Sequence, residues 1–143
     1  MFKEEKLYKS SLHFYFMKII LDTNFVLTCV KQKIDFAELA EQLFDEPIEW
    51  IVPQEVLNEL GNLKDQKGTK VIDRDAAGLS FEILKGLGPK IVELGGKHPN
   101  VDIKIVNYIL GKPIVLATLD KGLKNRVDNK ILSIRGKKSL QII

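Results

Sequence analysis

A chain of 143 residues that is 45% hydrophobic and 29% charged has enough apolar content for one domain with a sizeable core, and too little charge for disorder. Its apolar runs end in charges, Gly or Pro well short of the roughly 20 residues that a membrane helix needs. The lone cysteine, Cys29, and the two histidines, His13 and His98, exclude an internal disulfide, a cysteine metal cluster and a His-rich zinc site, and they suit a reducing cytoplasm.

The net charge of +3 is unevenly spread. Residues 1–16 carry three Lys and two Glu, residues 17–100 ten Lys or Arg and fourteen Asp or Glu, and residues 101–143 nine and three, giving +1, −4 and +6. A basic tail of that kind suits a polyanionic partner, although lysines that only keep a protein soluble give the same count.

Residues 1–16 read as an N-terminal extension or appendage. A lysine/glutamate start precedes Leu12-His13-Phe14-Tyr15-Phe16, which is too short for a signal peptide and has no small-residue cleavage site after it. Met17 then opens a self-contained domain, 17–143. Ile19-Ile20-Leu21 predicts a buried strand closed by Asp22-Thr23-Asn24. Asp35-Phe36-Ala37-Glu38 is a capping box that opens a helix to about residue 44. Trp50-Ile51-Val52 predicts a second strand, and Pro53 starts a helix that runs to about residue 64. After a polar loop, a helix spans about 71–85 and ends at Gly86-Leu87-Gly88-Pro89. A strand over 91–94, a helix over 101–110 and a strand over 114–118 follow. The chain ends with a short helix over 120–127, a core strand over 131–134 and an edge strand over 140–143. Strands alternating with helices predict an α/β fold with a mainly parallel sheet, whose site lies beyond the carboxyl ends of the strands.

Two aspartates stand at those ends. Asp22 follows Ile19-Ile20-Leu21, and Asp120 follows Val115-Leu116-Ala117-Thr118-Leu119. Each also has an ordinary use in a turn or as a helix cap, and Asp120 suits capping well. On the 101–110 helix, at about 100° per residue, Asp102 falls in the middle of the apolar arc of Val101, Ile105, Ile109 and Val106. A buried carboxylate there needs a cap, a partner or a metal. On the Pro53 helix, Glu59 lies about 40° from Leu63 on the border of the apolar stripe, nearer the core than Glu55. Four converging acids would repel one another unless a cation compensated, and all-oxygen ligation suits Mg²⁺ or Mn²⁺ rather than zinc.

The order of these motifs resembles the PIN domain family. Ile20-Leu21-Asp22-Thr23-Asn24 resembles its opening strand and first acid. Val52-Pro53-Gln54-Glu55-Val56-Leu57-Asn58-Glu59-Leu60 is similar to the segment bearing its second, Val101-Asp102 to the third, and Ala117-Thr118-Leu119-Asp120-Lys121-Gly122-Leu123-Lys124 to the fourth. The resemblance covers residues 17–143. It implies a three-layer α/β/α fold around a mainly parallel five-stranded sheet, and a Mg²⁺- or Mn²⁺-dependent endoribonuclease. It assigns catalysis and metal ligation to Asp22, Glu59, Asp102 and Asp120, with Asn24 and Thr118 in support. Two positions depart from the family pattern: Ile103 and Gly122 stand where a further Asp is common. Their loss implies one metal rather than two, weaker ion affinity or a slower enzyme.

The ending Ile131-Leu132-Ser133-Ile134-Arg135-Gly136-Lys137-Lys138-Ser139-Leu140 resembles the ribosomal-RNA-processing PIN proteins of archaea and eukaryotes more than the toxin ribonucleases of toxin–antitoxin pairs. On that resemblance the substrate is precursor ribosomal RNA, with Lys121, Lys124, Arg126, Arg135, Lys137 and Lys138 on its phosphates. Apolar residues of the first two helices would seat a homodimer. A toxin ribonuclease and a non-catalytic RNA-binding assembly factor are the alternatives. A receiver or haloacid-type phosphatase fits poorly, because Asp22 has no acidic neighbour and Asp22-Thr23-Asn24 is not Asp-x-Asp. No Gly-x-Ser-x-Gly motif or phosphate-cradling Gly-rich loop is present.

Overall fold

A computed structural model describes residues 16–143, and all of the expected extension except Phe16 lies outside the described residues. Six strands form one sheet: β1 Met17–Leu21, β2 Ile48–Pro53, β3 Lys90–Val92, β4 Ile114–Ala117, β5 Ile131–Arg135 and β6 Ser139–Ile142. Their order is β3-β2-β1-β4-β5-β6. The first five run parallel, so the parallel part has the expected number of strands. β6 turns back antiparallel on β5, with Ile134 opposite Leu140, which makes the sheet six-stranded rather than five-stranded.

The helices are α1 Thr23–Lys31, α2 Phe36–Leu43, α3 Gln54–Asp65, α4 Val71–Gly86 and α5 Val101–Ile109, with a 3₁₀ helix over Lys121–Arg126. The capping box holds, since Asp35 Oδ1 accepts the Glu38 N–H at 3.1 Å. Helix α1 is not anticipated by local signals. Its Phe25, Val26, Leu27 and Cys29 are all buried, so tertiary packing overrides the modest helix propensity of a Thr/Val/Cys-containing segment. Helices α1, α3 and α4 pack on one another. The right-handed rule for crossovers sends α5, which returns the chain from β3 to β4, to the opposite face.

The core centres on β1 and β4, where Ile19, Ile20, Leu21, Leu116 and Ala117 are fully buried. Phe36 bridges this core to α1 and β2 through edge-to-face contacts with Phe25 (5.8 Å between centroids) and Trp50 (5.4 Å). Of the seven exposed large apolar side chains among the described residues, three lie on α4, at Val71, Ile72 and Leu79, and one, Leu43, on α2. No helix among the described residues is long and apolar enough to cross a membrane.

The strand order places the functional crevice. From β1 the chain moves outward to β2 and β3, and then it crosses back over β1 to β4. The reversal falls between β1 and β4, and a parallel sheet opens a crevice beyond the carboxyl ends of such a pair. Phe36→Ala, which removes a side chain only 2% exposed, is expected to cost about 3–5 kcal/mol in urea unfolding; a loss below 1 kcal/mol would contradict this account of the core.

Candidate active site at the reversal of strand order

Asp22 leaves β1 at the crevice. Its backbone N–H donates to the Ala117 carbonyl at 3.1 Å, extending the β1–β4 pairing by one residue. It occupies the N-cap position of α1, yet its side chain makes no capping hydrogen bond. Instead Oδ2 accepts the Thr118 hydroxyl at 3.0 Å. The residue is only 4% exposed. Burial first, and then repulsion from and a shared hydrogen bond with Asp102, push its pKa up to about 7, against the smaller lowering effect of Thr118 and the Thr23 backbone.

Asp102 is free to face Asp22 because Asn100 caps α5, its Oδ1 accepting the N–H groups of Asp102 at 2.8 Å and Ile103 at 3.4 Å. Asn100 is thus the cap of α5. Glu59 also turns to the site rather than to bulk water, its Oε1 accepting the Thr23 hydroxyl at 2.5 Å. Asp22, Glu59 and Asp102 line one cleft of about 480 Å³ together with Thr23, Asn24, Asn62 and Asn100.

Asp120 is not among the residues lining that cleft. Its Oδ1 caps the 3₁₀ helix by accepting the Gly122 N–H at 2.9 Å, the ordinary role the sequence also allowed. Thr118 connects the two places, because the oxygen that donates to Asp22 accepts the Asp120 N–H at 3.1 Å. Asp120 instead lines a smaller depression of about 190 Å³ with Lys121 and Lys124. Arg126, Arg135 and Lys137 are exposed, while Lys138 donates to the Gln32 carbonyl at 3.0 Å and ties the β5–β6 turn to the end of α1.

Two site residues escaped sequence reasoning. Thr23 orients Glu59, and its place directly after a strand-end Asp was the available signal. Glu55, set aside as pointing outward, accepts the Leu94 N–H with both carboxylate oxygens at 3.2 Å. Burial alone would raise its pKa, but the N–H groups of Glu55, Leu94 and Gly95 together with Lys104 outweigh it and hold the pKa below the usual value. This clamp fixes the connection from β3 to α5. That connection reverses at Gly95 and Gly96, both in the left-handed region at φ 70° and 75°, and it carries Asn100 and Asp102 to the cleft. No sequence spacing encodes a 39-residue contact of this kind.

Among the described residues, no group of three or more His, Cys, Asp or Glu side chains forms a ready-made metal site. The donor chemistry nonetheless fits a hard divalent cation. Buried Asp22 and half-buried Asp102 line the same cleft with Glu59, and a proton or a cation would relieve the repulsion between such neighbouring carboxylates. A larger hollow of about 1090 Å³ lies at the opposite, amino-terminal ends of the strands, beside Met17, Lys18 and Ile114. Its size does not make it the site, because the strand-order crevice is at the other edge of the sheet.

A fold of this topology with acids at these strand ends defines a PIN-type domain, and a family model described as a PIN-like domain matches residues 19–137. The chain belongs to that family. Its similarities include ribonuclease VapC4 of Methanocaldococcus jannaschii, 29% identical over 129 residues that cover 87% of this chain and 95% of the relative. The structure of the PIN domain endonuclease Utp24 superposes with a TM-score of 0.69 at 27% identity, covering 87% of this chain and 90% of that one. VapBC2 from Rickettsia felis, bound to a promoter DNA fragment, shares the fold at a TM-score of 0.59 and 13% identity, over 82% and 98% of the two chains.

The raised Asp22 pKa makes stability depend on pH in a definite direction. The folded state binds this proton more tightly than the unfolded state, whose value is near 3.8. The stabilisation is therefore complete below about pH 4 and lost as pH rises through about 7. Asp22→Asn is expected to remove this slope and to raise the metal-free melting temperature at pH 8 by several degrees. Adding Mn²⁺ should stabilise the wild type and not the variant. Parallel melting profiles for the two proteins from pH 4 to 8 would contradict the buried pair.

Proposed function

We propose that this protein is a Mg²⁺- or Mn²⁺-dependent endoribonuclease that cleaves single-stranded RNA and serves in the processing of precursor ribosomal RNA. The observation that carries the reading is the convergence of Asp22, Glu59 and Asp102 on one cleft at the strand-order crevice. Such a convergence is costly to folding and useful to cation binding. The nuclease character is supported by the ribonuclease and endonuclease relatives. The processing role rests on the resemblance of the tail around Arg135-Gly136-Lys137-Lys138.

In this reading Asp22, Glu59 and Asp102 hold the cation, with Asp120 contributing from across Thr118. A bound divalent cation supplies activated water and relief of the charge that builds on the phosphate. The protein's own groups do the positioning. Thr118 fixes the Asp22 carboxylate, Thr23 fixes Glu59, and the Glu55 clamp holds the connection that delivers Asp102. Asn24 stands exposed at the rim of the cleft. Lys121 and Lys124, beside Asp120, meet the RNA phosphates, and Arg126, Arg135 and Lys137 extend that basic surface. Lys138 is exposed, and its ammonium keeps two further N–H donors for a phosphate beside its bond to Gln32. A reducing cytoplasm suits Cys29, a buried thiol whose pKa is pushed up to about 12 and which takes no part in the site.

The identity to ribonuclease VapC4 favours a second reading, a toxin ribonuclease with a small protein inhibitor. A toxin would arrest growth of its host on expression and be silenced by the product of a small neighbouring reading frame, whereas a processing nuclease would do neither. For the chemistry itself, labelled single-stranded RNA should be cut in Mn²⁺, spared in chelator and spared by Asp22→Asn. Thr118→Val, which removes an orienting hydroxyl, should lower the rate by about 10- to 100-fold. RNA binding that ignores chelator, without cleavage by the wild type, would instead mark a non-catalytic assembly factor.

A further inference from the structure

Helix α3 carries an amide at every fourth position: Gln54, Asn58 and Asn62, with Gln66 just beyond its last turn. These side chains climb one side of the helix in steps of about 6 Å. All four line a shallow groove of about 900 Å³, with Gly61 between them and Phe81 of α4 beside them. Asn62 and Gln66 also line the acidic cleft, so groove and cleft share a wall and run into each other.

Folding does not explain this composition. Asn and Gly are poor helix formers, and Asn58 and Asn62 are exposed. Packing does not require Gly61 either, since a Cβ there would meet the Phe81 ring at an ordinary 3.7 Å. What the arrangement provides is an open channel of neutral donors and acceptors. Gln54 Nε2 already donates to Asn58 Oδ1 at 3.1 Å, which holds the first two amides in register. Among the described residues, Asp65 is the only charged one of the lining. Cations lie along the border instead: Lys64 stands 5.5 Å above the Phe81 ring, and Lys67 and Lys70 are exposed in the connection that follows.

We propose that this groove seats the single-stranded RNA that leads into the cleft, and that its amides read base edges, making α3 the element that selects the cleavage sequence. The inference rests on the endoribonuclease reading and extends it to specificity. Amide side chains present a donor and an acceptor together, which matches the edges of unpaired bases. A lysine-lined groove would hold phosphates without regard to sequence. Here the charges lie outside and the amides inside, the arrangement expected when the backbone runs along the rim and the bases turn inward. An extended peptide would also satisfy amides, but only an acidic one would neutralise the bordering lysines, whereas every RNA backbone does.

The test compares the Mn²⁺-dependent cleavage of homopolymeric and mixed-sequence RNA by the wild type, Gln54→Ala/Asn58→Ala and Gly61→Gln. The wild type should favour one base near the scissile bond by roughly tenfold or more, and the double variant should bring that ratio to within about twofold while still cutting mixed RNA. Gly61→Gln replaces a poor helix former with a good one, so the helix persists while its side chain fills the groove, and cleavage of every RNA should fall by about tenfold. An unchanged base preference in the double variant, as expected if the groove seats a peptide, overturns the inference and leaves the endoribonuclease standing. Equal weakening on every homopolymer overturns base reading in the same way. A wild type that cuts no RNA overturns both.

Discussion

Two carboxyl groups brought together inside a protein repel each other, and the fold has to supply whatever keeps them there. In this chain they are Asp22 at the end of β1 and Asp102 in the first turn of α5, and much of the local structure makes sense as the apparatus that holds them. The Thr118 hydroxyl gives Asp22 a directed partner. Asn100 takes over the capping of α5 and leaves the Asp102 side chain available. Glu55 binds the Leu94 N–H and fixes the connection that brings α5 into place. Burial and the neighbouring Asp102 raise the Asp22 pKa in spite of the Thr118 bond, and a divalent cation would supply the counter-charge that such a site lacks.

The same arrangement gives the uneven charge of the chain a physical sense. The acidic middle of the sequence contributes Asp22 and Glu59 to the cleft. The basic tail contributes Lys121 and Lys124 to the depression beside Asp120. Thr118 links the two places, donating to Asp22 and accepting the Asp120 N–H. Neutral amides along α3 give the cleft a third kind of approach.

Much of the fold could be read along the chain. Apolar runs with Asp, Pro or Gly at their ends marked the six strands, and the Asp35 capping box marked α2. Helix α1 could not be read in this way. Its residues are ordinary strand or helix formers, and they are helical because every apolar side chain there finds the core. At the site, the position of Asp102 within an apolar arc was a sound signal, since a carboxylate in that place needs a reason. Asp120 was ambiguous for an equally sound reason: a strand-end aspartate that caps the next helix and one that faces a ligand have the same sequence around them.

What the sequence determined by itself was therefore chemical and local: which segments alternate between strand and helix, and which acids stand where the burial of a charge demands compensation. Only the tertiary structure decided which of those acids meet. Asp22 and Asp102 are 80 positions apart, and their contact depends on the chain reversing its strand order between β1 and β4. It depends as well on a glutamate, Glu55, whose partner lies 39 residues away. Periodicity and capping act over a few residues and leave their mark in the sequence. Convergence follows from how distant elements pack, and no short stretch of this chain carries it.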